Sequence, residues 1–167
     1  LPVMERVSVE DVDNRVGPAS VIRGLTRPLE ATDLALNWYE LEPGDSFGFA
    51  YHSHGNQEEV FVIVEGVATF ETESGDVEVG PREAIRFGPG EFQRGWNRSD
   101  ERVVALAMGA PQETGSSTTL VDCPDCGERT DGRIERVDEG FRTVCAECET
   151  ETGRWRHGAD GENEWVE

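Results

Sequence analysis

From residue 34 to residue 110 the chain is a series of short apolar runs, each closed by a cluster of turn-forming residues. The clusters are Glu42-Pro43-Gly44-Asp45, Glu65-Gly66, Glu73-Ser74-Gly75-Asp76, Val79-Gly80-Pro81 and Gly88-Pro89-Gly90-Glu91. Between them lie Leu34–Tyr39, Phe47–Tyr51, Val60–Val64, Val67–Glu71, Val77–Val79, Ala84–Phe87 and Arg102–Met108. Gly, Pro, Asp and Asn break regular structure, and a helix needs its 3.6-residue apolar period sustained over about ten residues. No stretch before residue 110 sustains it. Runs of this length at this spacing predict an all-β sandwich or barrel.

The pattern changes after residue 110. Residues 111–119 are polar and poor in apolar side chains, which reads as a linker. Two cysteine pairs follow, and then a Gly- and acid-rich end. The expected organisation is an arm or lead-in strand at 1–24, a β domain at 25–112, a linker at 113–119, a cysteine module at 120–152 and an acidic tail at 153–167, disordered from about Gly158.

The charge is lopsided, with 35 acidic residues against 15 basic ones, and every basic residue is Arg. A Lys-free acidic surface suits a protein kept soluble in molar salt, where counter-ions screen carboxylate repulsion. It argues against nucleic acid as a partner, because binding there rests on neutralising phosphates. Apolar runs such as Val60–Val64 are too short to span a bilayer, so no membrane role is expected. The first residues lack the basic-then-apolar pattern of a secretion signal, and the expected location is cytoplasmic.

Two of the three histidines stand at His52 and His54. On a strand, residues i and i+2 point to the same face, so both imidazoles can converge on one ion. Glu59 opens the next apolar run. Two histidines and a carboxylate make a ligand set that holds a divalent metal and leaves coordination positions open. Alternation also puts Glu59, Phe61 and Ile63 on one face of that run and Val60, Val62 and Val64 on the other. Both faces are apolar, so the outer one needs cover, from a packed partner sheet or from a second subunit in a homodimer.

The segment Gly44 … His52-Ser53-His54 … Glu59 … Gly66 resembles the first motif of the cupin superfamily. The second motif, Pro-x-Gly-x-x-His-x-x-x-Asn, is similar to Gly88-Pro89-Gly90-Glu91-Phe92-Gln93-Arg94-Gly95-Trp96-Asn97. Gly90 and Asn97 agree, Pro89 is displaced by one position, and Gln93 stands where the family has histidine. The resemblance covers about residues 25–112. It implies a cupin-type jelly-roll barrel with a metal inside, held by His52, His54, Glu59 and Gln93 and open to a pocket. The metal would be Fe, Mn, Ni or Zn. Glu59 serves either as a ligand or as a general base. Phe49, Tyr51, Phe61, Phe87, Phe92 and Trp96 are the aromatic candidates for pocket or core, with core packing favoured for each.

Cys123-Pro-Asp-Cys126 and Cys145-Ala-Glu-Cys148 are two Cys-x-x-Cys pairs at the separation of a structural tetrahedral zinc site. Arg133–Val137 and Phe141–Val144 are placed to form a hairpin around Asp138-Glu139-Gly140, and the whole resembles a zinc ribbon. A module of this size buries too little surface to fold alone, so zinc supplies its stability. Residues 119–167 hold six arginines against fourteen carboxylates, again unsuited to nucleic acid and better suited to a protein partner. His157, beside Trp155, is read as a surface histidine.

Two functions remain open. One is a mononuclear metal-dependent enzyme, of dioxygenase, isomerase or lyase type, acting on a small oxygen-rich molecule. The other is a non-enzymatic cupin that binds or senses a small molecule and docks a protein through its ribbon.

Overall fold

In the computed structural model, which describes residues 3–167, the apolar runs become strands of two facing sheets. The strands are β1 (Val21–Gly24), β2 (Ala35–Leu41), β3 (Tyr51–His54), β4 (Glu58–Glu65), β5 (Ala68–Thr72), β6 (Gly75–Val79) and β7 (Ala84–Phe87). They continue with β8 (Gln93–Trp96), β9 (Val103–Ala110), β10 (Ser117–Cys123), β11 (Glu128–Val137), β12 (Gly140–Cys145), β13 (Glu151–His157) and β14 (Asn163–Trp165). Among the described residues the only helical piece is a three-residue 3-10 turn, Val9–Asp11. The fold is all-β, as the turn spacing predicts.

One sheet has five strands in the order β1-β2-β9-β4-β7. The other has nine, in the order β14-β13-β12-β11-β10-β3-β8-β5-β6. The sheets face each other without closing into a hydrogen-bonded barrel: β1 and β7 remain free edges of one, β14 and β6 of the other. The core lies between them. Leu41 on β2, Phe61 and Ile63 on β4, and Val103, Ala105 and Ala107 on β9 meet Phe47, Ala68, Phe70 and Val79 from the opposite side. Phe47 stacks on Phe70 at a centroid distance of 5.6 Å and leans on Phe61 at 5.0 Å. Each fully buried Phe or Ile contributes roughly 2 kcal/mol by leaving water. Gly95 makes the aromatic stack possible, since a Cβ there would stand 2.6 Å from both Phe47 and Phe70.

The outer face of the five-stranded sheet is also apolar. Register aligns Leu36, Met108 and Val60 in one row and Trp38, Leu106 and Val62 in the next. All six are half-buried.

Beyond residue 110 the structure differs from the expected organisation. Ser117–Thr119, expected in the linker, open β10, which pairs with β3 through Ser117–His54, Thr118–Ser53, Thr119–His52 and Leu120–Tyr51. β3 has β8 on its other side and satisfies its free backbone groups with β10, whatever the polarity of the side chains. β11 then spans two partners: residues 128–131 pair with β10 and residues 132–137 with β12. Residues 153–167, expected as an acidic tail disordered from about Gly158, contain most of β13 and all of β14. Trp155 anchors them, 5% exposed, edge-on to Phe49 at 5.2 Å and to Trp165 at 5.0 Å. The cysteine segment is thus a continuation of the larger sheet.

Candidate metal centres

β3 carries His52 and His54 on its inner face. Across the sheet His52 sits in one row between Thr119 on β10 and Gln93 on β8. Glu59 enters from β4 on the facing sheet, on the same side as the buried Phe61 and Ile63. Ligand atoms of His52, His54 and Glu59 all lie within 4.8 Å of one another. His54 Nε2 is 3.4 Å from Glu59 Oε2.

Both rings are held from behind, and for His52 this sets the tautomer. His52 Nδ1 donates to the Ala50 carbonyl at 2.8 Å, and His54 Nδ1 is 3.2 Å from the Ser117 hydroxyl. A histidine whose Nδ1–H is engaged presents a bare Nε2 lone pair to an ion, and such partners fix the ring's aim. Burial pushes the His52 pKa below its ordinary value, which favours the neutral, ligating form.

Gln93 completes the group. Its Nε2 donates to Glu59 Oε2 at 3.1 Å and lies 3.4 Å from His52 Nε2, while its buried Oε1 has no partner. A buried carbonyl oxygen without a donor costs about 1–3 kcal/mol. Rotating the amide by half a turn would direct that oxygen toward the histidines and Glu59, where a cation would satisfy it. The donor set therefore fits a divalent ion with three firm ligands and an adjustable fourth. The other motif residues are structural. Asn97, fully buried, donates to the Leu41 and Glu101 carbonyls and accepts from Ser99. Gly66 takes φ +76° where a Cβ would meet the Arg102 carbonyl at 2.5 Å.

The cluster opens into a cavity of about 830 Å³. One wall is the cupin-like side, with Tyr39, Phe47, Phe49 and Phe61. Tyr39 and Phe47 were not among the candidates read from the sequence, because nothing in an apolar run distinguishes a pocket aromatic from a core one. Burial, aided by the Glu59 charge, pushes the Tyr39 phenol up to about 12, so it remains a protonated donor. Of the other aromatic candidates, Phe87 lies in the core, Tyr51 stacks on Phe92 at 5.3 Å, and Trp96 lies under Arg94 at 4.0 Å. The opposite wall comes from the β11–β12 hairpin, Ile134 and residues 136–141, and from His157, which is exposed, as expected, and borders the cavity.

The second centre is built on turns. Sγ distances are 3.5 Å for Cys123–Cys148, 3.6 Å for Cys126–Cys148 and 3.8 Å for Cys126–Cys145. Four sulfurs about 2.3 Å from a zinc at tetrahedral corners stand about 3.8 Å apart. Disulfide sulfurs stand about 2.05 Å apart, so these are four thiols gathered as a metal would gather them. Each turn closes the same way: Gly127 N–H bonds Cys123 O and Glu149 N–H bonds Cys145 O, both at 3.0 Å. Both following residues are left-handed, Gly127 at φ +70° and Glu149 at φ +64°. Glu149 holds that conformation without being glycine, and its carboxylate pairs with Arg133 at 2.5 Å.

The Cupin domain family matches residues 37–109, which include the His52–Glu59 cluster and Gln93 but stop short of β10. Among solved structures, a cupin-superfamily sugar phosphate isomerase from Silicibacter pomeroyi superposes at TM-score 0.60 with 15% identity, covering 96% of this chain and 91% of its own. A polyketide cyclase from Streptomyces resistomycificus gives 0.59 with 23% identity, covering 75% and 91%. An oxalate decarboxylase, so predicted, from Thermotoga maritima gives 0.55 with 17% identity, covering 64% and 98%. At these identities the likeness is one of fold. A search of curated proteins finds no match.

Proposed function

Given that residues 37–109 form a cupin domain, we propose that His52, His54 and Glu59 hold one divalent ion and that the protein is a mononuclear metal-dependent enzyme acting on a small oxygen-rich molecule. The observation that supports this most is the arrangement of the ligand atoms. Both imidazoles are tethered at Nδ1 and turn Nε2 toward Glu59 and Gln93, and the two histidines and Glu59 border a cavity of about 830 Å³. Imidazole and carboxylate donors suit Fe, Mn, Ni or Zn. Such an ion supplies Lewis acidity and a template for an oxygen ligand. The chain's own groups would do the rest. Gln93 orients Glu59, the protonated Tyr39 hydroxyl is available to donate to a bound oxygen, and Phe49 and Phe61 keep one side of the pocket apolar.

The four cysteines are assigned one structural zinc. Metal analysis tests both assignments together. Wild-type protein should carry two metals per chain, and H52A/H54A should carry one, the ribbon zinc, with the fold intact. Unchanged metal content in the double variant would remove the cupin site from consideration.

One observation favours a binding role without turnover. In the family's second motif a histidine would ligate directly, whereas Gln93 here donates to Glu59. A sensing cupin needs only reversible ligand capture, and Gln93→His should then tighten metal binding without producing turnover. Turnover by wild-type protein of any small carboxylate, diketone or sugar that binds it excludes the sensing role. The apolar rows on the outer sheet face, centred on Trp38 and Leu106, support a homodimer. A monomer mass in light scattering would reject it.

A further inference from the structure

The cavity is closed on one side by a segment outside the matched family domain, and the chemistry of that wall differs from the metal side. Arg136, on the β11–β12 hairpin, and Arg15, in the arm before β1, both line it. Eight of the chain's fifteen arginines form ion pairs among the described residues, Arg102, Arg129, Arg142 and Arg154 among them. Arg15 and Arg136 make no ion pair among the described residues. Arg15 Nη2 donates to Asn37 Oδ1 at 2.8 Å, and the Arg136 guanidinium lies 5.3 Å from the Phe141 ring centre. Of the arginines without an ion pair, Arg15 and Arg136 are the two that line this cavity.

The hairpin itself is seated. Phe141 packs on Phe49 at 5.4 Å, and Phe49 in turn meets Trp155. The carboxylates at the cavity are Glu59, Asp138 and Glu139. Glu59 belongs to the His–Gln cluster, and Glu139 lies 3.6 Å from Arg156. Only Asp138, at the exposed hairpin tip, is left to oppose a bound anion.

We propose that the β11–β12 hairpin is the ligand-selecting wall of the cupin pocket, and that Arg136 and Arg15 together bind the carboxylate or phosphate of a ligand whose apolar body rests on Phe49 and Phe141. The guanidinium fork matches both anions and presents two parallel donors to either. The inference rests on the pocket reading above, though not on which metal occupies it.

The test is calorimetric titration of full-length, metal-loaded protein with phenyl phosphate, benzoate and the neutral benzyl alcohol. Wild type should bind at least one anionic probe more tightly than benzyl alcohol, and the tighter of the two identifies the anion. R15Q/R136Q should weaken that probe by at least about tenfold, the lower end for hydrogen bonds to charged groups. Metal content and benzyl alcohol binding should stay unchanged. D138N should tighten the anionic probe. Anion binding equal to wild type in R15Q/R136Q, or lost only in H52A/H54A, would overturn the proposal by placing the anion on the metal. Wild-type protein that carries no second metal yet binds the probe through the arginines would reject the metal reading and leave this one standing.

Discussion

The two candidate metal centres lie along one nine-stranded sheet, with Glu59 reaching the first from the facing sheet, yet they relate to their surroundings in opposite ways. His52, His54 and Glu59 project from strands whose places are fixed by a large core, with Phe47, Phe61 and Phe70 packed behind them. Cys123 and Cys145 are themselves the core of their region: with Ala50 and Val121 they make up its small buried cluster. One is a donor set carried by an existing scaffold, and the other is a donor set that itself makes up the scaffold. A ligand set on strands can be lost without losing the fold, whereas a ligand set on turns with little apolar support cannot.

The sharpest way to break this contrast is Cys145→Ala. Structural zinc contributes on the order of 10 kcal/mol to such modules, so the variant should lose the ribbon's cooperative unfolding transition in calorimetry. H52A/H54A should keep it. If the two variants melt alike, the regions do not differ in this way.

The second test is truncation after residue 116. Read as a linker and appendage, residues 113–167 would be dispensable. The β3–β10 ladder says otherwise, because removal exposes the backbone edge of β3 and uncovers Ala50 and Phe49. The truncated chain should melt well below wild type and bind less metal at His52 and His54. A wild-type melting temperature and metal content would show the regions to be independent.

The smallest and most local test is Ser117→Ala, which removes the hydroxyl behind His54 Nδ1. Partners of this kind change metal affinity by about 10- to 100-fold. Affinity at the cupin site should fall by about tenfold at unchanged thermal stability. No change in affinity would mean that His54 is aimed by strand geometry alone.

How much of this was legible in the sequence follows the same division. The strands from β2 to β9, apart from β8 at Gln93–Trp96, which no apolar run marks, were readable because turn residues and apolar runs alternate, although Phe47–Tyr51 yields a strand only from Tyr51. The two ligand sets were readable because His-x-His and Cys-x-x-Cys are short-range geometry. β10 was not, because Ser-Ser-Thr-Thr has linker composition and its strand state comes from β3, more than sixty residues earlier. The ordered C-terminal strands were hidden for a related reason: two tryptophans outweigh an acidic composition only when Phe49 and the ribbon give them something to pack on. Glu149 in a glycine's conformation is a similar override, imposed by the turn that both cysteine pairs share.

The pairing of β10 with β3 also bears on how the chain is made. Synthesis delivers β3, β4 and β8 well before residue 117, so the strand carrying both histidines would remain a one-sided edge while the rest of the cupin domain is already collapsing. Unpaired edges of that kind invite pairing with other chains. The cysteine segment then does for the nascent protein what a chaperone's strand would otherwise do: its arrival closes the edge and delivers Ser117 to His54 in the same step.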